Sequence, residues 1–288
     1  MQPETTEPLY NLIRAYMRAL GASQTTVVAI RSYIDAVQRL KCSSEDFGPM
    51  LLQLNDVIKN TEPKVIPLVH LIEQFETEMP ATTGMQLETA KDQAVEILTR
   101  KLDRIEADSA LLMRQCMDCI QPGDFIIAHS ITAYIREALV RARMELNRTF
   151  KVLVLKQDFF RTRELINALE RHQIEYLVVP EYNLSHHLKS AGKLFIGAVS
   201  VTSDRQAVTG IGTANVVSLC HWYHVPVYLF IESIKFAHKS LPDQHIFKEN
   251  QNWTEADFTF HMETFSHDFI DLKLVDHVVT ENGEADGA

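Results

Sequence analysis

Several features that would assign a class of protein are missing from this 288-residue sequence. No run of about 18 apolar residues occurs, so no transmembrane helix is expected. The first ten residues, MQPETTEPLY, lack a basic segment followed by an apolar one, so we expect no secretory signal peptide. The formal net charge of -10 disfavours non-specific binding to nucleic acid or to an anionic membrane. These absences leave an ordinary soluble globular class as the expectation.

Cysteine is scarce, with four residues scattered along the chain, which suits a reducing cytoplasm better than a disulfide scaffold. Cys116 and Cys119 form a CxxC, but it lies within a helical pattern instead of following a strand as redox pairs do. A zinc site would need a second pair of ligands at suitable spacing. We favour two thiols in a helix core and leave metal or redox chemistry as the alternative.

The twelve histidines do not fall into a metal-binding pattern either. No HExxH or HxxxH spacing occurs. His221 and His224 are three residues apart at the end of a predicted helix, and His186 and His187 are adjacent. We therefore expect no metal and no cofactor.

The first half of the chain has helical periodicity. Apolar residues between Leu9 and Leu20 recur on one helical face, and Gly21 is predicted to end that helix. Further helices are predicted over 24–40, 45–59, from Pro63 towards Met79 and, after a break at 80–84, from Leu87 to Ile120. This pattern predicts an all-helical N-terminal domain, residues 1–120.

From Gln121 onwards short apolar strands alternate with helices, which favours a parallel sheet that is buried on both faces. The strands are predicted at 125–128, 152–155, 176–180, 194–201, 225–232 and 275–280. The intervening helices are predicted at 131–146, 162–172, 183–190 and 213–223. The last residues, ENGEADGA, are polar and expected to fray. The fold class is therefore α/β, with the helical domain followed by a Rossmann-like parallel-sheet domain over residues 121–288.

Candidate site residues follow the predicted strands, where parallel sheets bind ligands. His129, Ser130 and Thr132 come at the start of a helix, where the hydroxyls either cap the helix or bind an anion such as phosphate. Gly212 and Thr213 belong to a TGIGT turn, which lacks both the dinucleotide and the P-loop spacing.

Further charged residues follow other strands. Glu232 and Lys235 come after the strand at 225–232, and the lysine either neutralises a phosphate or is a solvated surface residue. Arg161 and Arg163 follow the strand at 152–155, and we favour a solvated helix start for them over a cationic rim.

The segment GAVSVTSDRQAVTGIGTANVVSLCHWYHVPVYLFIESIKF, residues 197–236, resembles GA(D/E)xVxxNGxxxNKIGTxxxAxxAxxxxxPFYVxxESxKF. This pattern belongs to the family that joins the alpha, beta and delta subunits of eukaryotic translation initiation factor 2B with methylthioribose-1-phosphate and ribose-1,5-bisphosphate isomerases. IIAHS at 126–130 and FIDLKLVDHVVTENG at 269–283 are similar to the family's THC strand end and closing VTExG motif. The resemblance is loose before residue 120. It implies a helical domain and a Rossmann-like domain that usually forms a dimer.

The resemblance also implies which residues would act in an isomerase of this family. Its members use a cysteine and an aspartate to move a proton between adjacent carbons of a sugar phosphate. The cysteine position reads Ser130 and the aspartate position reads Val199, while the asparagine–lysine pair of NKIGT reads Thr209–Gly210. Valine supplies no titratable group, and losing one general acid or base typically costs about 10²–10⁴-fold in rate. Asp204 lies nearby, but in the following loop, and is not expected to substitute.

The preferred hypothesis is a non-catalytic, cytoplasmic member of this family, a regulatory or scaffold subunit. We expect a homodimer, initiation-factor 2B subunits as possible partners, and no direct nucleic-acid or membrane binding. A pocket for a small phosphorylated sugar or a nucleotide monophosphate would be lined by His129, Ser130, Thr132, Gly212, Thr213, Glu232 and Lys235. The alternatives are a sugar-phosphate isomerase with a rearranged site and a metal-dependent enzyme built on the histidines.

Overall fold

The structure, a computed structural model, describes residues 7–61, 64–156, 159–237, 248–255 and 258–285. The chain divides into two compact units, Met1–Asp108 and Ser109–Ala288. The division falls inside a long helix, before the boundary at residue 120 that the sequence pattern predicts. None of the described helices is both long enough and apolar enough to span a membrane.

The first unit consists of helices. Their bounds are α1 Glu7–Arg39, α2 Ser44–Lys59, α3 Ile66–Glu78 and α4 Leu87–Asp118, the last of which continues into the second unit. Gly21 has φ 77° and leaves the helical conformation inside α1, so two helical segments meet there at a kink, as the glycine predicts. Ser43 caps α2 because its hydroxyl accepts from the backbone N–H of Asp46.

The core of this helical unit is apolar with a few paired polar groups. Ile30, Phe47 and Phe75 are among its fully buried side chains. Tyr33 donates its hydroxyl hydrogen to the side-chain carbonyl of Asn55, and both residues are buried. Burial raises the pKa of the Tyr33 phenol, with a smaller contribution from the charge of Glu76, so this hydroxyl keeps its proton.

The second unit contains the predicted parallel sheet. Its seven strands are β1 Phe125–Ala128, β2 Lys151–Lys156, β3 Glu175–Pro180, β4 Lys193–Gly197, β7 Val227–Phe230, β11 His277–Thr280 and β12 Gly283–Glu284. Their order across the sheet is β12-β11-β7-β4-β1-β2-β3, and every pairing except β11 with β12 is parallel. The order reverses between β1 and β4, so the sheet has a topological switch point there.

Both faces of this sheet are covered, which confirms the α/β class. Successive strand residues such as Ile126 and Ile127 enter separate apolar clusters because side chains alternate across a strand. One face packs on α5 Ala133–Met144, α6 Phe159–Arg171 and the end of α4; the other packs on α7 Thr213–Trp222.

The segment after β4 departs from the prediction of one strand over 194–201. The chain leaves the large sheet at Gly197 and enters a three-stranded sheet of β5 Ser200–Val201, β6 Gln206–Gly210 and β10 His267–Asp271. An apolar run by itself does not specify its hydrogen-bonding partner, so the sequence could not separate the two strands. The start of the TGIGT turn is therefore the end of a strand, not a loop.

Other short elements were missed or assigned differently. The helix predicted at 183–190 is a 3₁₀ helix over Glu181–His186, and a further 3₁₀ turn covers Ser233–Lys235. The antiparallel pair β8 Lys248–Glu255 and β9 Phe258–Phe265 was not predicted. In the tail predicted to fray, Gly283 and Glu284 form β12, and Glu281 is 5% exposed; residues 286–288 lie outside the described part of the chain.

Candidate functional site

The candidate residues lie beside the carboxyl ends of β1, β4 and β7, next to the switch point of the large sheet. His129, Ser130 and Thr132 follow β1, and Glu232 and Lys235 follow β7. Loops from neighbouring parallel strands leave the sheet at the same edge, which is where open α/β sheets bind ligands. The predicted residues are held by two hydrogen-bonded groups, one centred on His129 and one on Lys235.

The His129 side chain is completely buried and bonded at both ring nitrogens. Its Nδ1 lies 3.1 Å from Thr213 Oγ1, and its Nε2 lies 2.7 Å from Glu181 Oε1. The Thr213 hydroxyl in turn donates to the carbonyl oxygen of Gly210. These contacts join β1, the 3₁₀ helix at 181–186, the end of β6 and the start of α7.

Ser130 connects the end of β1 to β4 of the same sheet and to β6 of the three-stranded sheet. It has φ 50°, a left-handed conformation that is uncommon for a residue with a side chain. Its hydroxyl accepts from the backbone N–H of Gly210 at 3.1 Å, and its carbonyl accepts from that of Gly197. Ser130 is only 6% exposed. Its hydroxyl, at the family's cysteine position, is therefore bonded to the protein backbone inside the fold.

Thr132 is the N-cap residue of α5, but its side chain makes no capping hydrogen bond to the helix. Its methyl group occupies the space beside Gly197, where an added Cβ would come within 2.4 Å of Thr132 Cγ2. A side chain on the strand would therefore displace Thr132 from the start of α5. Of the two alternatives for these hydroxyls, helix capping does not apply to Thr132, and Ser130 lies before the cap position.

The carboxylates of Asp268 and Glu181 lie at the start of α7. Gly212 is its N-cap residue, with φ 88°, and provides no side chain to the free N–H groups of the first turn. Asp268, on β10, accepts from the N–H of Ala214 at 2.9 Å. The carboxylate of Glu181 lies so close to Gly212 that an added Cβ would come within 2.4 Å of its Oε2. The protein thus supplies its own anions at a helix end that favours negative charge.

Lys235 and Glu232 form a buried ion pair. Their Nζ and Oε2 atoms are 2.7 Å apart, and each side chain is 3% exposed. Ser109 donates to the other carboxylate oxygen of Glu232 at 3.2 Å. The ammonium also lies 3.5 Å from the carbonyl oxygen of Ala198 and 5.6 Å from the centre of the Tyr134 ring. The solvated surface lysine considered from the sequence is therefore excluded.

The surroundings of this pair are closed to solvent. Tyr134 donates its hydroxyl hydrogen to the carbonyl oxygen of Phe230 at 2.7 Å. Burial, together with the charge of Glu232, holds the pKa of the Tyr134 phenol well above its ordinary value. Tyr134 therefore acts as a neutral hydrogen-bond donor beside the ion pair and not as a base.

Two buried hydroxyl groups on β5 and β6 have no hydrogen-bond partner among the described residues. They belong to Ser200 on β5 and Thr209 on β6, which are 1% and 0% exposed. An unbonded buried hydroxyl costs roughly 1–3 kcal/mol, so such groups usually mark a water or ligand position. Both belong to the segment whose sequence resembles the family's ligand loop.

Other residues considered from the sequence do not join the site. Arg163 is exposed on α6, and the side chain of Arg161 is not among those described. Asp204 is exposed in the turn between β5 and β6, where it accepts from the Thr202 hydroxyl. Within the described ranges no cluster of three or more histidine, cysteine or acidic residues could hold a metal ion.

Sequence reasoning missed Glu181, Asp268 and Glu281. Glu181 directly follows β3, so its position after a parallel strand could have identified it. Asp268 belongs to an antiparallel strand, and no spacing in the sequence connects it with α7. Glu281 was assigned to the fraying tail, but its carboxylate accepts from both the backbone N–H and the hydroxyl of Ser233.

Comparisons with known proteins agree with this architecture. The model of the initiation factor 2 subunit family matches residues 18–286. A translation initiation factor eIF2B subunit delta from Dictyostelium discoideum is 23% identical over 92% of this chain, which spans 46% of that protein. The ribose 1,5-bisphosphate isomerase of Pyrococcus furiosus is 20% identical over 93% of this chain and 86% of the isomerase. The chain thus spans less than half the length of the Dictyostelium relative.

Solved structures show the same fold. The translation initiation factor eIF-2B of Pyrococcus horikoshii OT3 superposes with a TM-score of 0.76 at 22% identity, covering 99% of this chain and 98% of the other. A chain of the tetrameric eIF2B-beta2-delta2 complex from C. thermophilum gives a TM-score of 0.72 at 16% identity, covering 98% and 90%. The family model, the relatives and the helical and α/β units agree: the chain belongs to the initiation factor 2 subunit family.

Proposed function

We propose that this protein is a non-catalytic regulatory or scaffold subunit of the translation initiation factor 2B type, acting in the cytoplasm. The observation that carries the proposal is the Lys235–Glu232 pair. The cation that a phosphate would need is already neutralised inside the protein, and Val199 supplies no acid or base beside it. Family membership and the likeness to the delta subunit of Dictyostelium support this assignment.

Isomerisation is the less favoured function because it requires a group that exchanges protons with a substrate carbon. The Ser130 hydroxyl accepts from Gly210, and its ordinary acidity is far weaker than that of a thiol. Tyr134 is held neutral, and Asp204 lies in an exposed turn. The match to the archaeal isomerase nevertheless makes a direct assay necessary.

A small phosphorylated sugar or a nucleotide monophosphate is the proposed ligand. The buried hydroxyls of Ser200 and Thr209 would donate to it. His129, Ser130, Thr132, Gly212, Thr213, Glu232 and Lys235 would surround it. The phosphate would have to compete with Glu232 for Lys235, so we expect weak binding without turnover.

Thr209→Val provides the matched test, since it keeps the shape of the side chain and removes the hydroxyl. Without ligand the variant should melt at the same temperature as the wild type or higher, because no hydrogen bond is lost. Ribose-1,5-bisphosphate, methylthioribose-1-phosphate and adenosine monophosphate should raise the melting temperature of the wild type only. Equal shifts of the melting temperature in both proteins, or no shift in the wild type, would contradict the proposed pocket.

The enzymatic alternative is tested with the same two sugar phosphates by following ketose formation. We expect no product above the uncatalysed rate. Turnover that disappears in Ser130→Ala would overturn the non-catalytic assignment and establish an isomerase.

A dimer is proposed from apolar side chains that remain exposed on α7 and β10. Phe269, Leu219, Trp222 and Tyr223 are between 36% and 80% exposed. Adjacent exposed apolar residues of this kind mark association surfaces. Sedimentation of the purified protein should give a homodimer, and Trp222→Glu should weaken it. Met144→Glu, on α5 at the opposite face of the sheet, should leave the dimer intact.

Partner subunits are the second association proposed. The delta-like relatives and the beta–delta complex from C. thermophilum support subunits of initiation factor 2B as partners. Mixing the purified protein with separately purified beta and delta subunits, followed by native mass spectrometry, tests this directly. Homodimers that persist unchanged in every mixture would contradict a partnership with those subunits.

A further inference from the structure

The hydrogen bonds of His129 determine how many protons its ring carries. The carbonyl oxygen of Gly210 only accepts, so the single hydroxyl hydrogen of Thr213 is used in their bond. Thr213 Oγ1 can then only accept from His129 Nδ1 at 3.1 Å. The ring must therefore carry a hydrogen on Nδ1.

The second ring nitrogen faces a carboxylate. His129 Nε2 lies 2.7 Å from Glu181 Oε1, and an ionised carboxylate has no hydrogen to donate. A neutral ring with its hydrogen on Nδ1 would bring two lone pairs together at this distance. A proton must lie between the two atoms, and an imidazole is ordinarily a stronger base than a carboxylate.

We propose that His129 is an imidazolium that acts as a proton-dependent latch, fastening the 3₁₀ helix at 181–186 and the start of α7 to the end of β1. Loss of its proton removes the bond to Glu181 and leaves a repulsive contact in its place. Because the Glu181 side chain is 31% exposed whereas that of His129 is fully buried, the carboxylate is the partner that moves away. This latch goes beyond the proposed function and does not depend on it.

Two carboxylates lie close to His129 or to its partner Thr213. Glu181 is in direct contact, and Asp268, on β10, is bonded one residue beyond Thr213 at Ala214. Lys235 and Glu232, which follow β7, neutralise each other in their own ion pair. The partial positive charge at the N-terminus of α7 disfavours a positive ring. The carboxylates of Glu181 and Asp268 offset this effect.

The sign of the pH effect follows from the proton count. The hydrogen bond from His129 Nε2 to Glu181 exists only while that nitrogen carries a proton, so the latch contributes stability at low pH. That contribution is lost as pH rises and the ring is deprotonated in the folded state. Histidine is the side chain whose ordinary titration lies between about pH 5 and 8.

Glu181→Gln separates the latch from ordinary packing. A glutamine amide can donate to Nε2, so a neutral ring with its hydrogen on Nδ1 is fully bonded in this variant. Amide hydrogen exchange over 181–186 and 210–216 is measured from about pH 5.5 to about pH 9 and corrected for the intrinsic rate. In the wild type, protection should fall by about tenfold across this range, the value of one charge-assisted hydrogen bond.

In Glu181→Gln the corrected protection should be constant with pH. Glu175→Gln is the control, because it removes the same charge from an exposed ion pair with Lys151 and should retain the wild-type pH dependence. Imidazole nitrogen spectra of the wild type at low pH should show hydrogens on both nitrogens of His129. A ring that is neutral throughout the range, or pH dependence that persists in Glu181→Gln, would overturn the proposal.

Discussion

The ammonium of Lys235 and the carboxylate of Glu232 are 2.7 Å apart, with each side chain 3% exposed. The two residues belong to the ESIKF segment, which by resemblance suggested a phosphate site. In this protein the positive charge of Lys235 is neutralised by the carboxylate of Glu232. The same segment therefore has a structural role that a ligand would have to interrupt.

Breaking this pair should be costly. Lys235→Met or Glu232→Gln should each lower the free energy of unfolding by about 3–5 kcal/mol, because each leaves the other charge buried without its partner. The double variant should be less destabilised than the sum of the two. Urea unfolding of the four proteins measures this; additive losses would show that the charges do not interact.

Gly212→Ala should destabilise the protein through two separate effects. The left-handed φ of 88° costs about 1 kcal/mol or more for alanine, and the new Cβ would displace the Glu181 carboxylate. Gly283→Ala is the matched control, since φ is 100° there and nothing lies within 4 Å of the added atom. Thermal unfolding should give a larger loss for Gly212→Ala; equal losses would contradict the close contact with Glu181.

Glu281→Ala should destabilise the second unit by about 1–3 kcal/mol. The change leaves the N–H of Ser233 without its acceptor and frees the 3₁₀ turn that carries Lys235. Glu284→Ala removes an exposed carboxylate from the same tail and should cost under about 0.5 kcal/mol. Denaturant unfolding compares the two variants. An equally small loss of stability in both would show that the Glu281 carboxylate does not support the 3₁₀ turn.

The thiols in the second unit should be inert in the folded protein. Burial raises the pKa of Cys119 to about 11 and that of Cys220 to about 12, and it holds the pKa of Cys116 well above its ordinary value. At about pH 8 roughly one Cys119 thiol in a thousand would be ionised. A disulfide reagent should therefore label Cys42 first and all four cysteines only in denaturant.

Cys42→Ser is the control for this labelling, since it should remove the fast reaction and leave the slow ones unchanged. Cys119 is only partly buried, so fast labelling of it in the native protein would contradict its raised pKa and would support a redox role for the CxxC. Slow labelling agrees with the interpretation of Cys116 and Cys119 as core thiols of a helix.

The sequence predicted most of the regular structure because its signals are local. Apolar runs such as 152–155 and the helical periodicity of the first half require only neighbouring residues to be interpreted. The prediction of one strand over 194–201 is wrong because the segment forms two strands that pair with different partners, and those partners are distant along the chain. Glu281 was misassigned for the same reason, since its acceptor role depends on Ser233, 48 positions earlier.

By itself the sequence determined the α/β class, the helical first half and the family resemblance. Hydrophobic periodicity and the order of motifs depend only on which residues follow one another along the chain. Only the tertiary structure decided that Lys235 is paired with Glu232, that Glu181 bonds His129, and that Asp268 caps α7. These contacts join segments from different strands and loops. Whether a charged side chain is free for a ligand depends on its neighbours in space, and for this site the folded chain supplied neighbours that no motif records.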